Sequence, residues 1–129
     1  MRIELYFRQI HREIESCPVI RLMNVAEEKR GTYEGYIYGE LTFLDDSILL
    51  FREYVDVEDQ TDRLMYSYHY TDTEGKLIFR YDNTGHHRKL KLTTYPHHKH
   101  EGSQDNVLSS SAPVLAAVLD EIQARVVLP

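Results

Sequence analysis

Tryptophan is absent from the 129 residues, and cysteine occurs once, as Cys17. A lone cysteine forms no internal disulfide and builds no cysteine-based zinc site. A reducing, cytoplasmic setting is the simplest expectation, with Cys17 a structural residue at a helix end. Long apolar runs are missing too. No stretch approaches the roughly 18 apolar residues of a membrane span, so no membrane partner is expected. The opening MRIELYFRQIHREIE carries a charge every few positions and lacks the apolar centre of a signal peptide. Bulk positive charge is lacking as well. Against 15 Lys and Arg stand 21 Asp and Glu, a formal net charge of -6. An acidic chain of this kind is not a bulk electrostatic binder of nucleic acid.

What is present is an ordinary globular balance, 42% hydrophobic and 28% charged. Residues 1–129 are expected to form a single domain, large enough to bury roughly two-thirds of the surface its unfolded chain exposes. Ten tyrosines and seven histidines are the unusual entries. Five of the histidines crowd between positions 86 and 100. From Gly85 to His100 there are also Arg88, Lys89, Lys91 and Lys99, and no acid. A local basic face on an acidic body follows.

Ile3, Phe7, Ile10 and Ile14 recur at the helical period, which predicts a helix over residues 3–16 that Pro18 stops. Residues 19–26 read as a strand. Residues 33–43 and 48–55 form a hairpin about the turn 44–47. A two-residue loop at Asp45-Asp46 sets Leu41 against Leu50 and Phe43 against Ile48. Residues 64–71 and 76–82 form a second hairpin closed by Gly75, with Tyr70 facing Leu77, Tyr68 facing Phe79 and Tyr66 facing Tyr81. Its other face carries Ser67, His69, Ile78, Arg80 and Asp82. The following stretch reads as a functional loop, with a short edge strand at Lys89–Thr93. Ser109-Ser110-Ser111 before Ala112-Pro113 reads as an N-cap and early proline. Leu115, Val118, Leu119, Ile122 and Val126 then line a helix over 112–126. The expected fold is α+β: an antiparallel meander of about five to six strands, one face covered by the two terminal helices.

The histidine-rich stretch is where chemistry is expected. Imidazole titrates nearest neutral pH, so it serves as acid or base, and its neutral form binds metals. Three readings compete. His97, His98 or His100, with Lys99, Arg80 and tyrosines, supply the parts for cleaving RNA without a metal. Histidine pairs with Asp82 or Glu101 could instead hold a divalent ion, although adjacent histidines on an extended segment point to opposite sides. A loop histidine is also commonly just solvated. Arg52 and Glu53 lie side by side in an apolar strand and face opposite ways. The plain expectation is one at an edge and one in solvent; the functional reading makes Arg52 a phosphate or partner contact. Arg80 and Asp82 share a face, as a surface salt bridge or with Asp82 orienting a histidine. The ladder of Tyr66, Tyr68, Tyr70 and Tyr81 reads mainly as a sheet face packed under helices; the rival reading has it stack nucleic-acid bases.

The order Arg52-Glu53-Tyr54, Tyr66-Ser67-Tyr68-His69, Phe79-Arg80-Tyr81-Asp82-Asn83 with His86-His87, and Pro96-His97-His98-Lys99-His100 resembles the TumE family. These are small prokaryotic toxin components of toxin–antitoxin systems. The resemblance spans roughly residues 33–125. One departure is Thr84-Gly85 where the family pattern carries Ala-Pro. The resemblance implies a helix-turn-helix antitoxin as partner and leaves the molecular target open. Taken with the residues, the expected activity is a metal-independent endoribonuclease. His97, His98, His100, Lys99, Arg80, His69 and Asp82 are the candidate catalytic residues. Arg52, His86, His87, Arg88 and Tyr68 are the candidate RNA contacts. No cofactor is expected, and open sheet edges leave room for a homodimer. The rival expectations are a binding module without turnover and a metal-dependent hydrolase or nucleotidyltransferase.

Overall fold

The computed structural model describes residues 1–84 and 96–126. The chain opens with α1 (Ile3–Glu15), whose Ile3, Tyr6, Phe7, Ile10 and Ile14 form one buried stripe. Ser16 closes it by donating its amide to the Arg12 carbonyl, ahead of Pro18. Seven strands follow: β1 (Ile20–Lys29), β2 (Glu34–Phe43), β3 (Ile48–Asp56), β4 (Asp62–Thr71), β5 (Leu77–Asp82), β6 (His98–Glu101) and β7 (Val107–Ser109). They pair in chain order, each antiparallel to the next. The last element is α2 (Leu115–Arg125). Both helices pack on one face of the sheet, so Ile10 and Ile14, Leu119 and Ile122, and Leu41, Phe51 and Tyr68 belong to one core.

The α+β meander stands as expected, with seven strands instead of five to six. The extra strands come from the stretch read as a loop. His98–Glu101 is four residues long and wholly polar, and Val107–Ser109 is only three residues long, so no apolar alternation announces them. Pairing of β6 with β5, and of β7 with β6, is what makes them strands. The expected edge strand at Lys89–Thr93 lies outside the described residues.

Two hairpin registers differ from expectation. In the first, Leu41 faces Leu49 and Thr42 faces Ile48. The loop is one residue longer than two, because Phe43 donates to the Ser47 carbonyl at 2.9 Å. Asp46 takes the left-handed conformation, φ 67°, that such three-residue loops require. A shift of one residue moves a side chain to the opposite face, and Leu50 accordingly lies outside, 46% exposed. In the second hairpin Tyr70 faces Phe79 and Tyr68 faces Tyr81, with an irregularity between Tyr70 and Thr71. From Tyr70 and Phe79 onward that shift is two residues, so Tyr68, Tyr81, His69, Arg80 and Asp82 keep their expected faces. At the irregularity Leu77 stands opposite Thr71 and Ile78 packs against the core, the reverse of what was expected for both. The last helix begins later than expected. Val114 is its cap residue and makes no side-chain cap bond. Ser110 Oγ instead accepts the Ala112 amide at 3.0 Å, with Ala112 at φ 53°.

α1 crosses the sheet where β2 has no side chain. A Cβ on Gly35 would stand 2.6 Å from Phe7 Cζ and 2.8 Å from Ile3 Cγ1. Gly35→Val is therefore expected to destabilise by about 1–3 kcal/mol through overpacking, read as a lowered urea midpoint with an unchanged slope.

Candidate functional site

Alternation along the strands decides what the helix-free face presents. With Tyr66, Tyr68 and Tyr70 buried under the helices, Ser67 and His69 must point the other way. The registers then set two rows across the sheet. Leu50, His69, Arg80 and His100 stand opposite one another from β3 to β6. Arg52, Ser67, Asp82 and His98 form the row beside it. Over β1 to β5 this face holds an open pocket of about 580 Å³, whose lining includes Tyr38, Leu50, Arg52, Ser67, His69 and Arg80.

At the β5–β6 end the rows meet in a buried polar cluster. Asp82 is 1% exposed, His98 2% and His100 5%. Arg80 Nε donates to Asp82 Oδ2 at 2.8 Å. The Thr84 amide and hydroxyl donate to Oδ1 at 3.1 and 3.0 Å. His98 Nε2 lies 2.7 Å from Oδ1, and His100 Nε2 lies 3.7 Å from Oδ2. Burial raises the Asp82 carboxyl, but Arg80, the Thr84 amide and His98 outweigh it and hold the group below its ordinary value. Each histidine turns Nδ1 toward a backbone carbonyl at 2.9 Å, His98 to Pro96 and His100 to Gln104. A carbonyl only accepts, so both Nδ1 atoms carry hydrogen.

His69 is the histidine of the open pocket. Its Nδ1 lies 3.4 Å from Arg80 Nη1. Burial, then the charges of Arg80 and His100, push it below the ordinary imidazole value of 6.5, so it is neutral at physiological pH. The sign for stability follows. The unfolded chain takes up this proton before the folded one does, so the contribution is complete above pH 6.5 and is lost as pH falls toward the folded-state value. His69→Gln is expected to flatten that part of the acid limb in a plot of melting temperature against pH.

The other sequence candidates are elsewhere. His97 faces the helix layer, its Nδ1 2.7 Å from Tyr66 OH and its ring stacked on that tyrosine. Lys99 also faces inward, over the Tyr81 ring and 2.9 Å from Glu101. Tyr68 is fully buried, in keeping with the tyrosine ladder as core. His86, His87 and Arg88 lie outside the described residues. Arg52 is exposed, as one half of its pair was expected to be, but Glu53 is 0% exposed. It lies on the core face with Phe51 and Val55, where it accepts the hydroxyls of Tyr6 and Tyr68. Arg63 completes this network, donating to Tyr68 OH and to the carbonyls of Ala112 and Pro113. Strand alternation, which puts positions 51, 53 and 55 on one side, was the signal for Glu53. No sequence pattern marks Arg63.

The molecule is thus a small α+β protein whose helix-free sheet face carries His69, Arg80, Arg52, Asp82, His98 and His100. Residues 10–126 match the family model for toxin TumE, and the chain belongs to that family. It is a toxin by family, which implies an antitoxin partner. Neither a curated protein nor a solved structure matches it. Among the described residues no helix is long and apolar enough to cross a membrane.

Proposed function

We propose that this toxin cuts RNA as an endoribonuclease, by histidine acid–base chemistry that needs no metal. The observation that carries the reading is the His69–Arg80–His100 row, with a cation in register between two imidazoles. Neighbouring strands are about 4.8 Å apart, so a phosphate over Arg80 stands beside His69 in the open pocket, with the buried ring of His100 on the strand next to it. His69, held neutral by its surroundings, takes the proton of the 2′-hydroxyl. The 2′-oxygen attacks phosphorus and the bond to the 5′-oxygen breaks. His100, protonated on Nε2 beside Asp82, gives its proton to that leaving oxygen. Arg80 and Arg52 neutralise the phosphate charge as it builds. Asp82 and His98 hold Arg80 and His100 in place. Tyr38 and Leu50 offer a base an apolar floor. His97 and Lys99 face the helix layer and take no part in this step.

The setting is the cytoplasm, with a helix-turn-helix antitoxin as the silencing partner; pairing of sheet edges offers a route to a homodimer. The test is labelled RNA incubated with purified protein in EDTA. Fragments ending in 2′,3′-cyclic phosphate and 5′-hydroxyl are expected. Intact RNA in that assay removes the proposal, and tight RNA binding without turnover transfers the site to a phosphate-binding module.

A further inference from the structure

We infer that Asp82, His98 and His100 form a binding site for a divalent transition-metal ion of the zinc class, and that filling it silences the proposed cleavage. The silencing rests on the RNA reading above; the metal site does not.

One ligand atom from each of the three residues lies within 4.8 Å of the other two. Both Nε2 atoms face the Asp82 carboxylate, His98 at 2.7 Å from Oδ1 and His100 at 3.7 Å from Oδ2. Both histidines already use Nδ1–H on a backbone carbonyl. That is the outer contact which orients metal-binding imidazoles and fixes Nε2 as the ligand atom. The contact of His98 Nε2 with Asp82 Oδ1, 2.7 Å, makes a sharper demand. Two lone pairs repel at that distance, so the contact requires a proton on the nitrogen or a metal ion shared by both atoms. Two imidazoles and one carboxylate suit zinc, cobalt, nickel or manganese. They do not suit calcium or magnesium, which take oxygen. The site is preformed, because antiparallel pairing sets Asp82 opposite His98 and Arg80 opposite His100. Three protein ligands leave further coordination positions for water.

Silencing follows from which atom binds. Nδ1 of His100 is committed to Gln104, so a metal takes the nitrogen that would carry the leaving-group proton. Arg80 keeps its hold on Oδ2, so the phosphate contact survives while proton delivery is lost.

The test uses the metal-stripped full chain titrated with Co²⁺, read by visible absorption, and with Zn²⁺, read by calorimetry. One ion per chain is expected, bound at least about tenfold more weakly by His98→Gln and His100→Gln and unchanged in His97→Gln. In the wild-type protein, the Nε2 resonances of His98 and His100 are expected to shift on adding Zn²⁺ while those of His97 and His69 stay. That measurement holds even if a variant misfolds. No saturable Co²⁺ spectrum, or imidazole shifts elsewhere, overturns the site. One equivalent of Zn²⁺ is expected to stop RNA cleavage and EDTA to restore it. Zn²⁺ that binds at His98 and His100 yet leaves cleavage unchanged or faster overturns the silencing. Failure of the RNA reading shows separately, as intact RNA in the metal-free arm.

Discussion

Replacing His69 by alanine is expected to slow RNA cleavage by about 10²- to 10⁴-fold, the range for losing a positioned acid or base, and to abolish growth arrest. His69 is only partly buried and touches Arg80 through one weak contact of 3.4 Å. Its removal leaves Asp82, His98 and His100 in place, so loss of activity is separable from loss of fold. His69→Ala combined with His100→Ala is expected to cost little more than either alone, because the two groups serve one step. Arg80→Lys tests the element between them. Lysine keeps the charge but not the fork that reaches Asp82 and a phosphate together, so a rate between wild type and His69→Ala is expected. Initial rates on labelled RNA, with circular dichroism confirming the fold, decide the matter. Cleavage by His69→Ala at the wild-type rate would remove histidine base catalysis from this face.

The contrast between what was legible in the sequence and what was not has a physical pattern. Periodicity reveals which face a residue takes, and it held for the tyrosines of β4 and for Phe79 and Tyr81 of β5. The expected register is off by two residues there, an even shift that leaves the tyrosines of β4 under the helices and His69, Arg80 and Asp82 on the other side. Registers were less legible because a turn is decided by one residue. Asp46 in the left-handed conformation lengthens its loop and carries Leu50 across the sheet. The short strands β6 and β7 were illegible for a different reason. β6 is a strand because it pairs with β5, and β7 because it pairs with β6, not because of their own composition, so His98 and His100 read as loop residues. The division of the histidines follows from that. On a strand, His97 and Lys99 alternate away from His98 and His100. The sequence cluster of Pro96–His100 therefore splits into two groups on opposite faces, and only one of them meets Asp82.

The buried carboxylate of Glu53 leads to the largest expected loss of stability. It sits at 0% exposure on the core face, facing Ile37 across β2 and Tyr66 across β4. A carboxylate there is tolerable only while its oxygens are satisfied. One takes the Tyr6 hydroxyl from α1 and the other the Tyr68 hydroxyl from β4. Arg63, donating to Tyr68 at 3.0 Å, brings the nearby positive charge. Changing both tyrosines to phenylalanine keeps the ring packing and strands the charge. About 3–5 kcal/mol is expected to be lost, as when a buried ion is deprived of its partners. That corresponds to a melting temperature lower by roughly 10–20 °C. Adding Glu53→Leu to the double variant is expected to recover most of the loss, since an apolar side chain asks for no donor. The recovery is the decisive measurement. If the triple variant melts as low as the double, the cause is not the desolvated carboxylate but the two hydroxyls' other contacts. If it recovers, Glu53 holds α1 to the sheet only through the hydroxyls it receives.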